Sequence, residues 1–340
     1  MKETKICKRC IMPESKPDIY INDEGICNIC VAHDNSRESI NEQKPLESDL
    51  LKILDKHKGR KKFDCMVMCS GGKDSTAALY FMKKRYNLNI LAFMFDHGFE
   101  TKEARANVES AVQKLGVDFL LYKSSYMKPM FARMIESESK AIICHTCSIW
   151  YMELAFDVAA RYDIPLIVAG WTKGQYKKQN IVSKYGTDDG TCEFKAMSES
   201  TRSFLDNNIS DMHQYKNFPK SMDEVIKKAR KKHKAKVISP HWFLPYGPDE
   251  YVKIIEDELE WKAPDLSYPK GSTNCTLNFI SVHQSIKHYG YTHYVVEASK
   301  LIREGVITRE EALEQVKINF DDKTLKEVAS GLCIDFSTYL

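Results

Sequence analysis

An apolar run over residues 63–69 leads straight into Ser70-Gly71-Gly72-Lys73-Asp74-Ser75, and Ala77, Ala78, Tyr80, Phe81 and Met82 follow at helical spacing. No other feature limits the fold of this chain so sharply. A buried strand, two glycines and a helix start together form an anion cradle. Glycine lets the backbone turn tightly and approach a ligand, and the first turn of the helix presents its free N–H groups and positive end. The spacing G-x-x-x-x-G-K-[ST] of the common P-loop is absent, so this is a different phosphate loop.

The surrounding pattern agrees with that reading. Strands are expected over 63–69, 90–96, 119–123 and 165–170, each apolar enough to be buried on both faces, with a further strand over 236–244. Between the second and third, Ala104, Val108, Ala111, Val112 and Leu115 recur at helical spacing and Gly116 provides the stop. Strands alternating with helices imply an α/β fold with a doubly wound parallel sheet, whose ligands bind at the carboxyl ends of the strands. Three loops lie at such ends: Ser70 to Ser75, Asp96-His97-Gly98, and Gly170-Trp171-Thr172-Lys173-Gly174.

Outside this core, residues 1–34 form a small cysteine-bearing unit with almost no apolar core of its own. Residues 35–60 read as a linker and a short helix using Leu46, Leu50, Leu51 and Leu54. The phosphate-loop domain is expected over 61–245 and a helical region over 246–340. Within it, Thr308-x-x-Glu311 is a capping box, with Ala312, Leu313 and Val316 on the inner face. Residues 175–215 read as a polar lid. The basic run over 227–236 has two readings, a face for RNA phosphates or the solvated side of a connecting helix, and the second is preferred.

Bulk properties exclude several classes. The 340 residues can bury a full core, and 50 basic residues against 47 acidic ones predict no nucleic-acid partner from charge alone. No apolar run suits a membrane span and the start is not a signal peptide, so a cytoplasmic protein without a membrane partner is expected.

In that compartment eleven cysteines are more readily metal ligands or redox groups than disulfides. Cys7, Cys10, Cys27 and Cys30 form two C-x-x-C knuckles, the pattern of a closed tetrahedral zinc site, and such a site would stabilise a unit too small to fold by burial. Cys144-His145-Thr146-Cys147 precedes an apparent helix, whose N-terminus should lower the thiol pKa values. With Cys275 as the third ligand, and Cys192 as the reserve, these residues would hold a [4Fe–4S] cluster with one open iron. Two free buried thiols or a redox pair is the competing reading.

The hexapeptide resembles the S-G-G-x-D-S signature of the PP-loop ATP pyrophosphatases, an adenine nucleotide alpha hydrolase-like group. These enzymes split ATP between the α and β phosphates, place AMP on a substrate oxygen and release pyrophosphate. On that resemblance Ser70, Gly71, Gly72, Lys73 and Ser75 bind the phosphates, and Asp74 holds Mg²⁺ between them. Gly170 closes the site at the fourth strand. Asp96 and His97 would meet the nucleoside, and Lys173 would stabilise charge on the α-phosphate; ordinary loop chemistry accounts for these three equally well.

CKRCIMPESKPDIYINDEGICNIC at the start and KHYGYTHYVVEASKLIREGVITREEALEQV near the end resemble the N-acetyl sugar amidotransferases, a branch of that superfamily. The resemblance implies ATP-dependent conversion of a sugar acetamido group to an acetamidino group, with ammonia from a partner glutaminase; a homodimer is compatible with it. The C-x-x-C plus one distant cysteine is instead similar to the iron–sulfur tRNA 2-thiolation enzymes. That likeness implies sulfur transfer to tRNA or a small molecule by the same adenylylation chemistry.

Overall fold

The computed structural model describes residues 5–16, 18–39, 45–172, 192–269 and 274–340, with the side chains of 36–39 and 192–195 outside the description. Lys173, Gly174, residues 175–191 of the expected lid and the side chain of Cys192 therefore lie outside the described residues.

Five parallel strands form the sheet: β1 (Cys65–Met68), β2 (Ile90–Asp96), β3 (Asp118–Lys123), β4 (Leu166–Val168) and β5 (Lys236–Ile238), in the order β3-β2-β1-β4-β5. Side chains alternate across it, as a period of two requires. Met66, Met68, Leu91, Phe93 and Phe95 enter one apolar layer, while Cys65, Val67, Ile90, Ala92 and Met94 enter the other. Two strands differ from expectation. At the sheet edge β3 is half exposed rather than buried on both faces. The last strand ends at Ile238, because Pro240 opens a short 3₁₀ turn, Pro240–Trp242, in place of further strand.

The first helices follow their local signals closely. α1 (Asn28–Ser39) begins inside the second C-x-x-C and continues through residues read as linker. α2 (Glu47–Asp55) buries Leu50 and Leu54, which share a face at i, i+4, while Leu51 turns to solvent and Leu46 is exposed as the extended N-cap. α3 (Lys73–Tyr80) starts within the phosphate loop and passes into a π-helical turn at Phe81–Arg85. α4 (Lys102–Leu115) is capped by Thr101, whose hydroxyl accepts from Ala104 N–H, and closes at Gly116 in the left-handed region.

α5 (Lys128–Glu136) leads to α6 (Ile143–Arg161), which carries Cys144 and Cys147 in its first turn rather than ahead of it. α7 (Cys192–Asn207) is helical where a polar lid was expected. α8 (Met222–Lys232) holds the basic run. Its Lys228 and Lys232 pair with Glu153 and Asp157 on α6, so part of that charge serves helix packing.

The remaining helices divide between the two faces of the sheet. α9 (Pro248–Leu259) packs with α3 and α4 through Tyr251, Ile255 and Leu259. α10 (Leu277–Tyr289) and α13 (Asp322–Ser330) join the opposite layer. Between them, α11 (His293–Arg303) and α12 (Arg309–Gln315) lie against the N-terminal unit. The capping box at Thr308 and Glu311 is present and Ala312 is buried. Leu313, however, points outward, about 100° around the helix from Ala312.

Candidate functional site

At the sheet centre β1 is flanked by β2 and β4, and chain order reverses there. The crevice beyond the carboxyl ends of β1 and β4 is the place where open α/β sheets bind ligands. Both loops predicted for it are present. Gly71 has φ +77°, and a Cβ there would stand 2.0 Å from the Ala104 carbonyl oxygen, so the loop lies directly on α4. Its own carbonyl accepts from Asn107 Nδ2 at 3.1 Å and Trp261 Nε1 at 2.9 Å. At the end of β4, a Cβ on Gly170 would be 2.5 Å from Ser75 N. The two strand ends thus meet through glycine alone.

Within the loop, Ser75 Oγ accepts from Ser70 N–H at 3.1 Å, lies 3.1 Å from Ser70 Oγ, and donates to the Gly72 carbonyl at 3.2 Å. Gly72 takes an extended conformation before α3 and offers no capping side chain, so the first-turn N–H groups face the crevice. Lys73 Nζ is 3.1 Å from the Asp74 carboxylate. Tyr251 donates its hydroxyl to the other Asp74 oxygen, and His241 Nε2 holds the Asp74 carbonyl at 2.8 Å. Burial, reinforced by Asp74, pushes the Tyr251 phenol far up, so it remains a donor. Neither Tyr251 nor His241 belongs to a motif; folding brings them over more than 160 positions.

A second carboxylate arrives the same way. Glu297 on α11 accepts from Thr172 Oγ1 at 2.9 Å, immediately past the β4 loop. Burial raises its carboxyl pKa, the Thr172 hydrogen bond opposes that, and the charges of Asp74 and Lys73 both act on it. Only a lone Glu in an amphipathic stretch marked it in the sequence.

Asp96 and His97 are placed differently from one another. Asp96 Oδ1 accepts from Gly98 N–H at 2.7 Å and Lys123 approaches its other oxygen at 3.6 Å. His97 turns inward, with Nε2 3.1 Å from Glu100 and 3.6 Å from Cys275 Sγ. Its burial lowers its pKa to about 4, leaving a neutral ring. His97 Nε2 thus faces the Glu100 carboxyl and the Cys275 thiol.

Cys275 reaches that place because residues 274–276 pair with 99–101: Thr101 N–H bonds Asn274 O at 2.8 Å and Thr276 N–H bonds Phe99 O at 2.9 Å. Asn274 also covers the phosphate loop, its Nδ2 lying 2.4 Å from where a Gly72 Cβ would stand. Cys144 bonds Ser281 at 3.4 Å. Cys144, Cys147, Cys275 and Glu100 are near enough to interact electrostatically, and the three thiols are partly exposed. Burial raises the pKa values of Cys144, Cys147 and Cys275, and Glu100 adds to this for Cys147 and Cys275. The helix N-terminus was expected to lower the first two, but desolvation of a thiolate outweighs a partial dipole charge.

The N-terminal quartet is built for a metal ion. Cys7, Cys10, Cys27 and Cys30 are fully buried and their four sulfurs lie within 4.8 Å of one another, which among the described residues no other such group matches. Cys27 N–H and Cys10 N–H point at Cys7 Sγ, at 3.3 and 3.5 Å, and Met12 N–H points at Cys10 Sγ at 3.4 Å. These N–H groups would stabilise thiolate ligands. Hydrogen bonds from neighbouring thiols pull Cys7 down and bring Cys10 to about 7, while Cys27 and Cys30 are pushed up. Four buried sulfurs cannot all ionise without a cation. With one they can, so the donor set fits a metal.

The comparisons with known proteins fall on both halves of the chain. The family model for queuosine biosynthesis protein QueC matches residues 64–190, and that for the LPS biosynthesis protein WbpG-like, C-terminal domain, matches residues 273–337. Uncharacterized protein MJ1599 of Methanocaldococcus jannaschii is 24% identical over 313 residues, covering 92% of each chain. Among solved structures, the U34-tRNA thiolase NcsA from Methanococcus maripaludis with its [4Fe-4S] cluster is 16% identical, with 93% of this chain and 91% of that one covered and a TM-score of 0.37. The NH3-dependent NAD synthetase from Campylobacter jejuni is 10% identical, covering 86% and 95%, with a TM-score of 0.33. The sheet, the quartet and the helical C-terminal region together make an adenine nucleotide hydrolase-like α/β fold with an added four-cysteine unit.

Proposed function

We propose that this chain, a PP-loop protein of the ATP pyrophosphatase type, adenylylates the amide oxygen of an N-acetylated sugar and replaces AMP by nitrogen. The observation that carries the reading is the phosphate loop at the β1–β4 crevice, with Asp74 held by Lys73 and Tyr251. The match of residues 273–337 to the WbpG-like C-terminal domain, a domain described for LPS biosynthesis, supports a sugar as the acceptor.

In this reading the loop N–H groups and the Ser70 and Ser75 hydroxyls bind the β and γ phosphates. Asp74 would hold Mg²⁺, which neutralises charge on the departing pyrophosphate. The amide oxygen attacks the α-phosphorus as the bond to pyrophosphate breaks. Ammonia then adds to the carbonyl carbon, the C–O bond to AMP breaks, and a proton is lost to solvent. The chain's contribution is alignment and charge neutralisation. Ammonia would come from a separate glutaminase subunit. Zinc is the metal proposed for the quartet, where a closed four-thiolate shell makes it structural.

The test is pyrophosphate and AMP release with ATP, Mg²⁺, ammonium and a panel of nucleotide-linked N-acetyl sugars, with mass spectrometry of the sugar. An amidine product with release dependent on both sugar and ammonium is expected. Release that ignores the sugar would overturn the reading.

The proximity of Cys275 to Cys144 and Cys147 favours a second reading, sulfur transfer. Three partly exposed thiols that interact electrostatically, with Asn274 against the Gly72 turn, would hold a [4Fe–4S] cluster whose open iron carries the sulfide. Iron and acid-labile sulfide content on protein purified without oxygen separates the two. Iron with matching sulfide, and a thiolated tRNA or small molecule as product, would replace the amide reading; zinc alone would leave it standing.

A further inference from the structure

Helix α11 touches both sites. On one side Val296 is buried in the apolar cluster of the cysteine quartet, and Ser299 Oγ accepts from Ile11 N–H at 3.4 Å, one residue past Cys10. Just beyond the helix, Arg309 clasps the quartet backbone, its guanidinium donating to the carbonyls of Cys10 at 3.1 Å and Cys7 at 3.4 Å. Glu297 lies roughly 100° from Val296 and 160° from Ser299 around the same helix. It accepts from Thr172 at 2.9 Å. Thr172 is fixed in turn: its carbonyl accepts from Trp242 Nε1 at 3.1 Å, and Trp171 stacks on Trp242. Two residues back, Gly170 abuts the start of α3.

We propose that α11 is a strut coupling the quartet to the phosphate loop, with Glu297 as the positioning residue at its nucleotide end. Metal on the four thiolates and nucleotide on the loop then bind with positive coupling. The inference rests on the reading that the quartet binds a metal and the loop binds ATP. Its physical basis is that a packed helix moves as a unit: loosening the quartet frees Val296 and Ser299, and Glu297 loses its fixed position against Thr172. No group of α11 needs to touch ATP. Binding linkage is reciprocal, so whatever factor metal adds to nucleotide affinity, nucleotide must add to metal affinity.

The experiment uses the full chain, zinc, and the magnesium complex of a non-hydrolysable α,β-methylene ATP. Nucleotide Kd is measured on zinc-loaded and chelator-stripped protein, and zinc Kd by competition with a chromogenic chelator, with and without nucleotide. Equal factors of about fivefold or more in both directions are expected. Glu297→Ala should bring the factor close to one while zinc remains bound. Glu297→Gln, which keeps an acceptor oxygen for Thr172, should restore most of it. The pair Ser299→Ala with Arg309→Ala cuts the strut at its other end and should also lower the factor, with the phosphate loop untouched. Zinc and nucleotide binding with no mutual effect, or a full factor in Glu297→Ala that circular dichroism shows folded, overturns the coupling alone. Failure of zinc-loaded wild-type protein to bind the nucleotide overturns both the coupling and the ATP reading.

Discussion

Tyr251, in the first half of α9, donates its hydroxyl to the carboxylate of Asp74 in the first turn of α3, 177 positions earlier. This hydrogen bond fixes the orientation of the carboxylate, whose other oxygen faces Lys73. Tyr251→Phe keeps the ring packed in the core and removes only that donor. Pyrophosphate release should fall about tenfold with little change in thermal stability. Asp74→Asn removes the anionic ligand itself and should cost at least about a hundredfold at unchanged fold. Steady-state kinetics with circular dichroism checks both; full turnover in Asp74→Asn would mean that the phosphate assignment is wrong.

Glycine at 170 is a packing requirement. A methyl group there would lie 2.5 Å from Ser75 N and 2.8 Å from the Asp74 carbonyl carbon, both backbone atoms that cannot swing aside. Gly170→Ala should push β4 from the phosphate loop and cost on the order of 1–3 kcal/mol. Nucleotide binding should be lost at temperatures where the sheet is still folded. Titration calorimetry on the variant measures this, and wild-type affinity would refute the close approach.

The quartet should behave as a metal-linked folding unit. Cys30→Ser removes one of four ligands from a buried shell. At free metal a thousandfold above its Kd, the loss of binding takes away about 4 kcal/mol. Chemical denaturation of wild type with excess chelator should show the same deficit, and chelator should add nothing to the variant. A variant as stable as wild type would mean that metal contributes nothing to folding.

Two enclosed histidines give a pH signature. Burial lowers His293 to about 3 and His145 to about 4, so both are neutral when folded and protonate when unfolded below about 6.5. The unfolded state therefore binds more protons between those limits, and stability falls as pH drops through 6.5 toward 4. From pH 7 to 5.5, each contributes a loss of about 1.4 kcal/mol. Urea unfolding of His293→Gln should show that much less acid destabilisation than wild type. Identical losses would mean His293 is charged in the fold.

How far the molecule could be read in advance varies by element. β2 was legible to the residue, since six apolar residues run without a break into Asp96-His97. The quartet was legible from spacing alone, because two knuckles need no distant partner to be recognised. β3 was misjudged, because an apolar run does not reveal whether a strand lies at the centre or the edge. The pKa of Cys144 and Cys147 was misjudged for a related reason. A helix start can be seen locally, but the walls supplied by α10 and residues 274–276 cannot.

Local chemistry along the chain therefore determined the phosphate loop, the metal knuckles and the alternation that makes a parallel α/β sheet. Each depends on residues within one turn or one strand, where backbone geometry and side-chain period suffice. Only the tertiary structure decided that Tyr251, His241 and Glu297 converge on Asp74 and its flanking loops, and that α11 lies between the quartet and the crevice. Those contacts form when helices from the far end of the chain bury their apolar faces on a sheet whose strands all precede them in sequence. What a helix packs against is set by the whole folded surface, and no local spacing encodes it.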